Sequence, residues 1–206
     1  MLDKKGFDLW AKEYDNEVNS CYQNKEYPFD GYYDVLDSVL SRIKPGSKVL
    51  DIGFGTGVLT KKAYDANCEI HGIDFSSEMV SIAKSKMPRG RFYECDFNNN
   101  LPDAILGEKF DYIISTYAIH HLTDHKKVKF ISLLKKLLNN KGKIIIGDIA
   151  FSTKQELAQC AKNTKGFDKD EIYIVAETFL PQLKESKITA KFYKMSHYAG
   201  IIIIEK

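Results

Sequence analysis

The chain has few of the residues that mark a disulfide scaffold, a zinc ribbon or a redox centre. Its four cysteines, Cys21, Cys68, Cys95 and Cys160, are widely spaced, and none belongs to a Cys-x-x-Cys pair. Zinc ribbons and thioredoxin-like motifs depend on cysteines in such close pairs. We therefore expect buried free thiols and no cysteine metal centre.

Long hydrophobic runs and an excess of one charge are also lacking. The longest apolar stretches, such as Ile201–Ile204, have the length of a strand, whereas a membrane-spanning helix needs about 20 apolar residues. Lys and Arg total 30 against 28 Asp and Glu, and a polyanion-binding surface needs a clearer excess. The first residues have mixed charge and lack the apolar stretch of a secretory signal. We expect a cytoplasmic protein that binds neither nucleic acid nor membrane.

From residue 48 onward, short apolar runs alternate with stretches of helical periodicity. Strands are predicted at Lys48–Ile52, Glu69–Ile73, Arg91–Cys95, Phe110–Ser115 and Lys143–Gly147, and helices at 58–65, 76–87, 123–139, 153–163 and 168–186. Pro181 predicts a kink or a new start in the last helix. The runs 187–195 and 197–205 follow one another too closely for a crossover, so they predict an antiparallel hairpin. The pattern indicates an α/β fold with a parallel sheet that ends in this hairpin.

A glycine-rich loop follows the first predicted strand. The segment Asp51-Ile52-Gly53-Phe54-Gly55-Thr56-Gly57 lies between that strand and the next predicted helix. Glycines there permit a tight turn and a close approach of the backbone to a ligand, and the helix N-terminus offers N–H groups. The G-x-G-x-x-G spacing of NAD sites is not present, because its third glycine position falls on Val58 or Thr60. The loop indicates a nucleotide-like ligand other than NAD, with a plain turn as the alternative.

This segment resembles the D-x-G-x-G-x-G motif of class I S-adenosylmethionine (SAM)-dependent methyltransferases. The match continues at the ends of later strands, in Gly72-Ile73-Asp74, Cys95-Asp96-Phe97 and Ser115-Thr116-Tyr117. The segment 10–15 and the Thr123-Asp124 pair make the chain similar to the small bacterial YrrT-type methyltransferases. The resemblance implies a Rossmann-like, doubly wound, seven-stranded sheet, mostly parallel with an antiparallel C-terminal hairpin strand.

The resemblance also implies which residues bind the cofactor. Asp74 accepts hydrogen bonds from the ribose hydroxyls, Asp96 accepts from the adenine amino group, and Phe97 lies against the adenine ring. From the residues alone, Asp74 could instead cap the helix near Ser76, and Asp96 could be a loop residue. The full implied set is Asp51, Gly53, Phe54, Gly55, Gly57, Asp74, Phe75, Asp96, Phe97, Ser115, Thr116 and Tyr117.

His121, His120 and Tyr14 are the candidates for the chemistry. Methyl transfer from a sulfonium is an in-line displacement, so alignment can suffice, and a base matters only when the acceptor loses a proton. Histidine titrates near neutral pH, and the resemblance implies that the pair lies where the substrate enters. Adjacent helical residues diverge by about 100°, so we expect one ring to point inward. A structural role in holding the loop is the alternative.

The first predicted helix carries an apolar stripe formed by Phe7, Trp10, Tyr14 and Val18. The resemblance implies that this helix closes over the ligand and brings Tyr14 near the methyl donor, whereas ordinary core packing is the alternative. We expect one domain, residues 1–206, in which residues 1–44 form a helical cap or lid.

Two further patterns are not expected to have a functional role. His121 and His125 are four residues apart, but Leu122 stands where a metalloprotease motif has Glu, so we expect no metal site. The pairs Lys126-Lys127 and Lys135-Lys136 are predicted to lie on the solvated face of the helix at 123–139.

Together these patterns predict a SAM-dependent methyltransferase that acts on a small molecule and releases S-adenosylhomocysteine. Methylation of RNA or protein is the alternative within the same class. A SAM-binding protein without catalysis is the alternative outside it. The oligomeric state is not indicated by the sequence.

Overall fold

The computed structural model describes residues 14–206, apart from the side chain of Tyr14. Phe7 and Trp10 lie outside these residues. Within the described part, the helices of the first half are α1 (Tyr14–Asn24), α2 (Tyr32–Leu40), α3 (Val58–Asp65), α4 (Ser77–Lys86) and α5 (Asp103–Leu106). Those of the second half are a 3₁₀ turn (Ile119–His121), α6 (Asp124–Lys136), α7 (Lys154–Asn163) and α8 (Ala176–Glu185).

The strands of the main sheet are β1 (Lys48–Ile52), β2 (Glu69–Asp74), β3 (Arg91–Glu94), β4 (Phe110–Thr116), β5 (Leu138–Phe151), β7 (Ala190–Lys194) and β8 (Ala199–Glu205). They form one mostly parallel sheet in the order β3-β2-β1-β4-β5-β8-β7. The short β6 (Ile174–Val175) pairs with β5 beside this path. Because the order reverses at β1, the carboxyl ends of β1 and β4 border a crevice of the kind in which open α/β sheets bind ligands.

Helices cover both faces of the sheet, which explains why its central strands are apolar throughout. Along β1, Val49 joins the core cluster that includes α2, α3 and α4, whereas Leu50 joins the cluster that includes α6 and α8. The helix α2 packs so closely that a Cβ added to Gly147 of β5 would meet Val35 Cγ1. Of the predicted N-terminal cap, α2 is therefore part of the layer that covers the sheet.

The antiparallel hairpin is confirmed. Strand β8 pairs antiparallel with both β5 and β7, and it places Ile202 opposite Ile146 and Phe192. The predicted mostly parallel α/β sheet with an antiparallel end is confirmed as well.

Two helix predictions are wrong at their ends. The prediction 168–186 fails at its start, because α8 begins only at Ala176, after an irregular segment and the strand β6. Pro181 lies inside α8 and does not end it. The predicted helix at 123–139 ends at Lys136, because Leu138 already pairs with Phe110 in the sheet.

The prediction of a solvated lysine face fails for one residue. Lys127 has an exposed fraction of 0%, and its ammonium group donates to Asp124 Oδ1 at 3.1 Å and to the carbonyl of Ile172 at 2.5 Å. Within residues 14–206, none of the helices is both long and apolar enough to cross a membrane.

Candidate functional site

The glycine loop between β1 and α3 has a backbone that favours glycine at three positions. Gly53, Gly55 and Gly57 have φ angles of +68°, +56° and +76°, in the left-handed region that L-residues rarely adopt. A Cβ on Gly53 would lie 2.5 Å from the Cβ of Ala118, whereas a Cβ on Gly55 would meet nothing within 4 Å. Gly53 therefore permits close packing against the segment after β4, and Gly55 leaves open space above the loop.

Asp74, the last residue of β2, fixes this loop. Its Oδ2 accepts a hydrogen bond from the N–H of Gly55 at 2.9 Å, and its Oδ1 accepts from the N–H of Ser76 at 3.0 Å. The N-cap of α4 is Ser76, whose hydroxyl accepts from the N–H of Met79, so the alternative role of Asp74 as the cap is not what the structure shows.

Asp51 lies beneath the loop and has an exposed fraction of only 1%. Its Oδ2 accepts from the hydroxyl of Thr60 at 2.6 Å, while its Oδ1 has no hydrogen-bond partner among the described residues. Burial, opposed by the Thr60 bond and reinforced by the charge of Asp74, raises the pKa of Asp51 to about 7. The loop thus rests on a carboxyl group that titrates near neutral pH.

A pocket opens above the loop, at the carboxyl ends of the central strands. The predicted site residues that line it are Gly53, Phe54, Gly55, Asp74, Phe75, Asp96, Phe97, Thr116, Tyr117 and His121. Six more lining residues were not predicted: Tyr32, Thr56, Met79, Asn98, Ala118 and Leu122. Lys and Arg do not occur among the described residues that line it. The pocket is therefore mostly apolar and carries carboxylates.

Four predicted site residues lie behind this lining, namely Asp51, Gly57, Ser115 and His120. Ser115 is buried, and its hydroxyl donates to the carbonyl of Ile52 at 2.9 Å, which joins β4 to β1. Gly57 is the N-cap position of α3. These residues shape the pocket from below.

Asp96 and Phe97 form one side of the pocket after β3. Asp96 is exposed, and its two oxygens accept from the N–H of Asn98 at 2.9 Å and from the side-chain amide of Asn99 at 3.0 Å. The ring of Phe97 stacks on Phe130, with centroids 5.6 Å apart and planes inclined by 22°. The turn of asparagines therefore fixes the carboxylate beside an aromatic face.

Tyr117, after β4, has a backbone conformation that is uncommon for its residue type. Its φ is +50°, and its N–H donates to the carbonyl of Gly147 at 2.9 Å. Burial raises the pKa of the Tyr117 hydroxyl well above its ordinary value, and that hydroxyl has no hydrogen-bond partner among the described residues. Strained residues with orphaned polar atoms concentrate at functional sites.

The helix α1 reaches the glycine loop. Asp15 accepts a hydrogen bond from the hydroxyl of Thr56 at 2.6 Å, and Lys86 donates to the Thr56 carbonyl at 3.0 Å. The side chain of Tyr14, the third catalytic candidate, lies outside the described residues. Sequence patterns gave no signal for the Asp15–Thr56 contact, because two short polar side chains 41 positions apart form no motif.

His120 is held by a buried carboxylate at the end of β5. Its Nδ1 lies 2.6 Å from Asp148 Oδ1, and Asp148 Oδ2 accepts from the N–H groups of Ile119 and His120. Burial opposes both charges, yet their mutual attraction raises the pKa of His120 and lowers that of Asp148. His120 is therefore a ring with a fixed orientation.

Both histidines face Glu171, a residue that the sequence analysis did not single out. Glu171 Oε2 lies 3.0 Å from His121 Nδ1 and 4.0 Å from His120 Nε2, and the two ring centroids are 4.2 Å apart. His121 lines the pocket and His120 does not, and because the segment is a 3₁₀ turn, both rings also meet at one carboxylate. The spacing argument paired His121 with His125, whereas the structure brings it to His120 and Glu171.

The segment that carries Glu171 is anchored on both sides. The N–H of Ile172 donates to the carbonyl of His120 at 3.0 Å, and the Ile172 carbonyl accepts from the buried Lys127. Burial lowers the pKa of Lys127, although Asp124 opposes this effect. Chemically, such a corner can hold a reacting group, exchange a proton through an imidazole, or bind a cation.

A sequence model described as a methyltransferase domain matches residues 43–200. An uncharacterized methyltransferase of Anoxybacillus flavithermus is 39% identical over 78% of this chain and 74% of its own length. One from Oceanobacillus iheyensis is 32% identical over 97% of this chain and 95% of its own. The finer likeness to YrrT-type methyltransferases stays a prediction.

Solved structures of similar fold include methyltransferases crystallised with the cofactor or its product. The DhpI–SAM–HEP complex has a TM-score of 0.72 at 14% identity and covers 97% of this chain and 94% of its own. The magnesium protoporphyrin IX methyltransferase of Synechocystis with bound S-adenosylhomocysteine has a TM-score of 0.66 at 21% identity, over 85% and 84%. At these identities the likeness concerns the fold.

Proposed function

Because the chain belongs to the methyltransferase family whose model matches residues 43–200, we propose that its pocket binds SAM and that it methylates a small molecule. Members of this family use SAM as the methyl donor. The observation that carries the proposal is the glycine loop, whose Gly55 is tied to Asp74 at the edge of an open pocket.

In this proposal the cofactor lies across the carboxyl ends of β1, β2 and β4. Asp74, at the carboxyl end of β2 and in the lining of the pocket, accepts from the ribose hydroxyls. Asp96 and Phe97 hold the adenine, and Phe54, Phe75, Thr116 and Tyr117 line the rest. Asp51, Gly57 and Ser115 act indirectly, through the loop and the strand that they support.

We propose that the acceptor end of the pocket lies at His121, which lines it. There the acceptor lone pair attacks the methyl carbon, the carbon–sulfur bond breaks, and the sulfur keeps that electron pair as the thioether product. Holding the reactants in near-attack geometry supplies about 7 to 11 kcal/mol of barrier reduction. We propose that His121, next to the fixed ring of His120, accepts a proton that the acceptor loses. Tyr14 stays a further candidate for this chemistry.

The lining favours a small neutral or cationic acceptor over a polyanion. Carboxylates stand around the pocket, and Lys and Arg are lacking among its described lining residues. RNA needs cationic contacts to its phosphates, so it is the weaker candidate. Its methylation, and that of protein, are outcomes that the experiment below separates.

The test is transfer of the labelled methyl group from SAM to fractionated cell extract. We expect label in the small-molecule fraction with wild-type protein and none with Gly55→Val, which serves as the background. Label in the RNA or protein fraction would contradict the small-molecule proposal. Binding of SAM without transfer to any fraction would instead support the non-catalytic alternative.

A further inference from the structure

We propose that His120, His121 and Glu171 bind one divalent transition-metal ion at the acceptor end of the pocket. Their ligand atoms, one from each side chain, all lie within 4.8 Å of one another. The binding site stands on the arrangement of these residues, whereas its part in methyl transfer rests on the function proposed above.

The separations are close to those of ligands of a single ion. In a tetrahedral site with bonds of about 2.1 Å, two ligand atoms are roughly 3.4 Å apart. Glu171 Oε2 lies 3.0 Å from His121 Nδ1 and 4.0 Å from His120 Nε2, and the three ligand atoms all lie within 4.8 Å of one another. Two neighbouring histidines and a carboxylate from a distant loop thus lie near the spacing that one ion requires.

The orientation of His120 provides a second, independent observation. Its Nδ1 faces Asp148, so the neutral ring donates there and has the lone pair of Nε2 on the side of Glu171. A carboxylate behind a ligating histidine fixes its tautomer and is a regular partner of protein metal sites. Asp148 is in turn held by backbone N–H groups of the 3₁₀ turn.

The donor set and its place define the class of metal. Two imidazole nitrogens with one carboxylate oxygen suit zinc, cobalt, nickel or ferrous iron, whereas magnesium and calcium prefer oxygen ligands. Because His121 lines the pocket, an ion held by these residues would be reachable from the pocket, and catalytic sites with three protein ligands keep one position open. A metal there lowers the pKa of a coordinated hydroxyl group, so it would favour acceptors that react through oxygen.

The test is titration of chelator-treated full-length protein with Co²⁺, followed by its visible absorption, and competition by Zn²⁺. We expect one bound equivalent in the wild type. Glu171→Gln and His121→Asn should each weaken binding about 100-fold or more, and Asp148→Asn about 10- to 100-fold. The exposed residues Glu185 and His125 give matched controls, and Glu185→Gln and His125→Asn should bind as the wild type does.

Titration of the same metal-free proteins with SAM, together with their thermal unfolding, separates this proposal from the previous one. If thermal unfolding shows that Glu171→Gln or His121→Asn is not folded, the metal affinity of the other of these two variants tests the proposal. The metal proposal is overturned if the wild type binds no stoichiometric Co²⁺, or if folded Glu171→Gln and His121→Asn bind it as tightly as the controls. If the wild type binds Co²⁺ but does not bind SAM, the proposed function is overturned and the metal site is not.

Discussion

Replacing the buried Asp51 by Asn should remove a large pH-dependent contribution to stability. Asp51 lies beneath the glycine loop with only one of its oxygens hydrogen-bonded, to Thr60, in the described residues. Asparagine has nearly the same shape and is neutral at every pH, so it resembles the protonated carboxyl group. The variant therefore isolates the effect of ionising a carboxyl group at this position.

The magnitude follows from the pKa, which burial raises from 3.8 to about 7. Since the folded protein keeps the proton to higher pH than the unfolded chain, the contribution is fully present below about pH 4. It disappears as the pH rises through about 7. The whole contribution is about 4 kcal/mol at 1.36 kcal/mol per pH unit, and about 3 kcal/mol of it falls between pH 5 and pH 8.5.

The assay is urea unfolding of both proteins from pH 5 to pH 8.5. The free energy of unfolding of the wild type, minus that of Asp51→Asn, should fall by about 3 kcal/mol over this range. Asp170→Asn, which removes an exposed carboxylate, controls for the loss of one negative charge. A difference between wild type and Asp51→Asn that does not change with pH would refute the reasoning.

The other predictions concern the ligand. Asp74→Ala should weaken SAM binding by about 1.5 to 3 kcal/mol in calorimetry, and an unchanged affinity would reduce Asp74 to an anchor of the loop. Gly55→Val should abolish SAM binding in the same assay, because its side chain enters the open space above the loop and its φ is +56°; retained affinity would contradict this. His121→Ala should lower turnover while SAM affinity and melting temperature stay nearly constant, and a lower melting temperature alone would indicate a structural role. Deletion of residues 1–20 should leave a folded protein that releases SAM faster in stopped-flow measurements, because the Asp15–Thr56 contact is lost; full SAM affinity or failure to fold would refute the lid.

The sequence could predict those parts of the molecule in which residues of a distinctive type lie at a regular position relative to a predicted strand or helix. The glycine loop lies between a buried strand and a helix, so its position at the edge of a parallel sheet followed from the alternation alone. Asp74 was predicted at the same edge because it ends the next strand. The structure adds that Asp74 accepts a hydrogen bond from the N–H of Gly55 in the loop, whereas Ser76 is the N-cap of α4.

The remaining parts depend on tertiary contacts between residues that form no pattern. Glu171 reaches the histidine pair from an irregular loop, 50 positions beyond His121, and nothing near it in sequence resembles a motif. Lys127 follows the helical spacing of a solvated face, yet the Ile172 carbonyl from that same loop provides the partner that lets it be buried. Residues 168–173 were predicted as helix, and the contact of Glu171 with the histidine pair was missed with them.

Calorimetric titration of the purified protein with SAM, and separately with NAD, tests the central claim most directly. The account predicts one SAM bound per chain and no heat with NAD, because the glycine spacing does not match the dinucleotide pattern and the carboxylate of Asp74 lies at the loop. Binding of NAD without binding of SAM would contradict it.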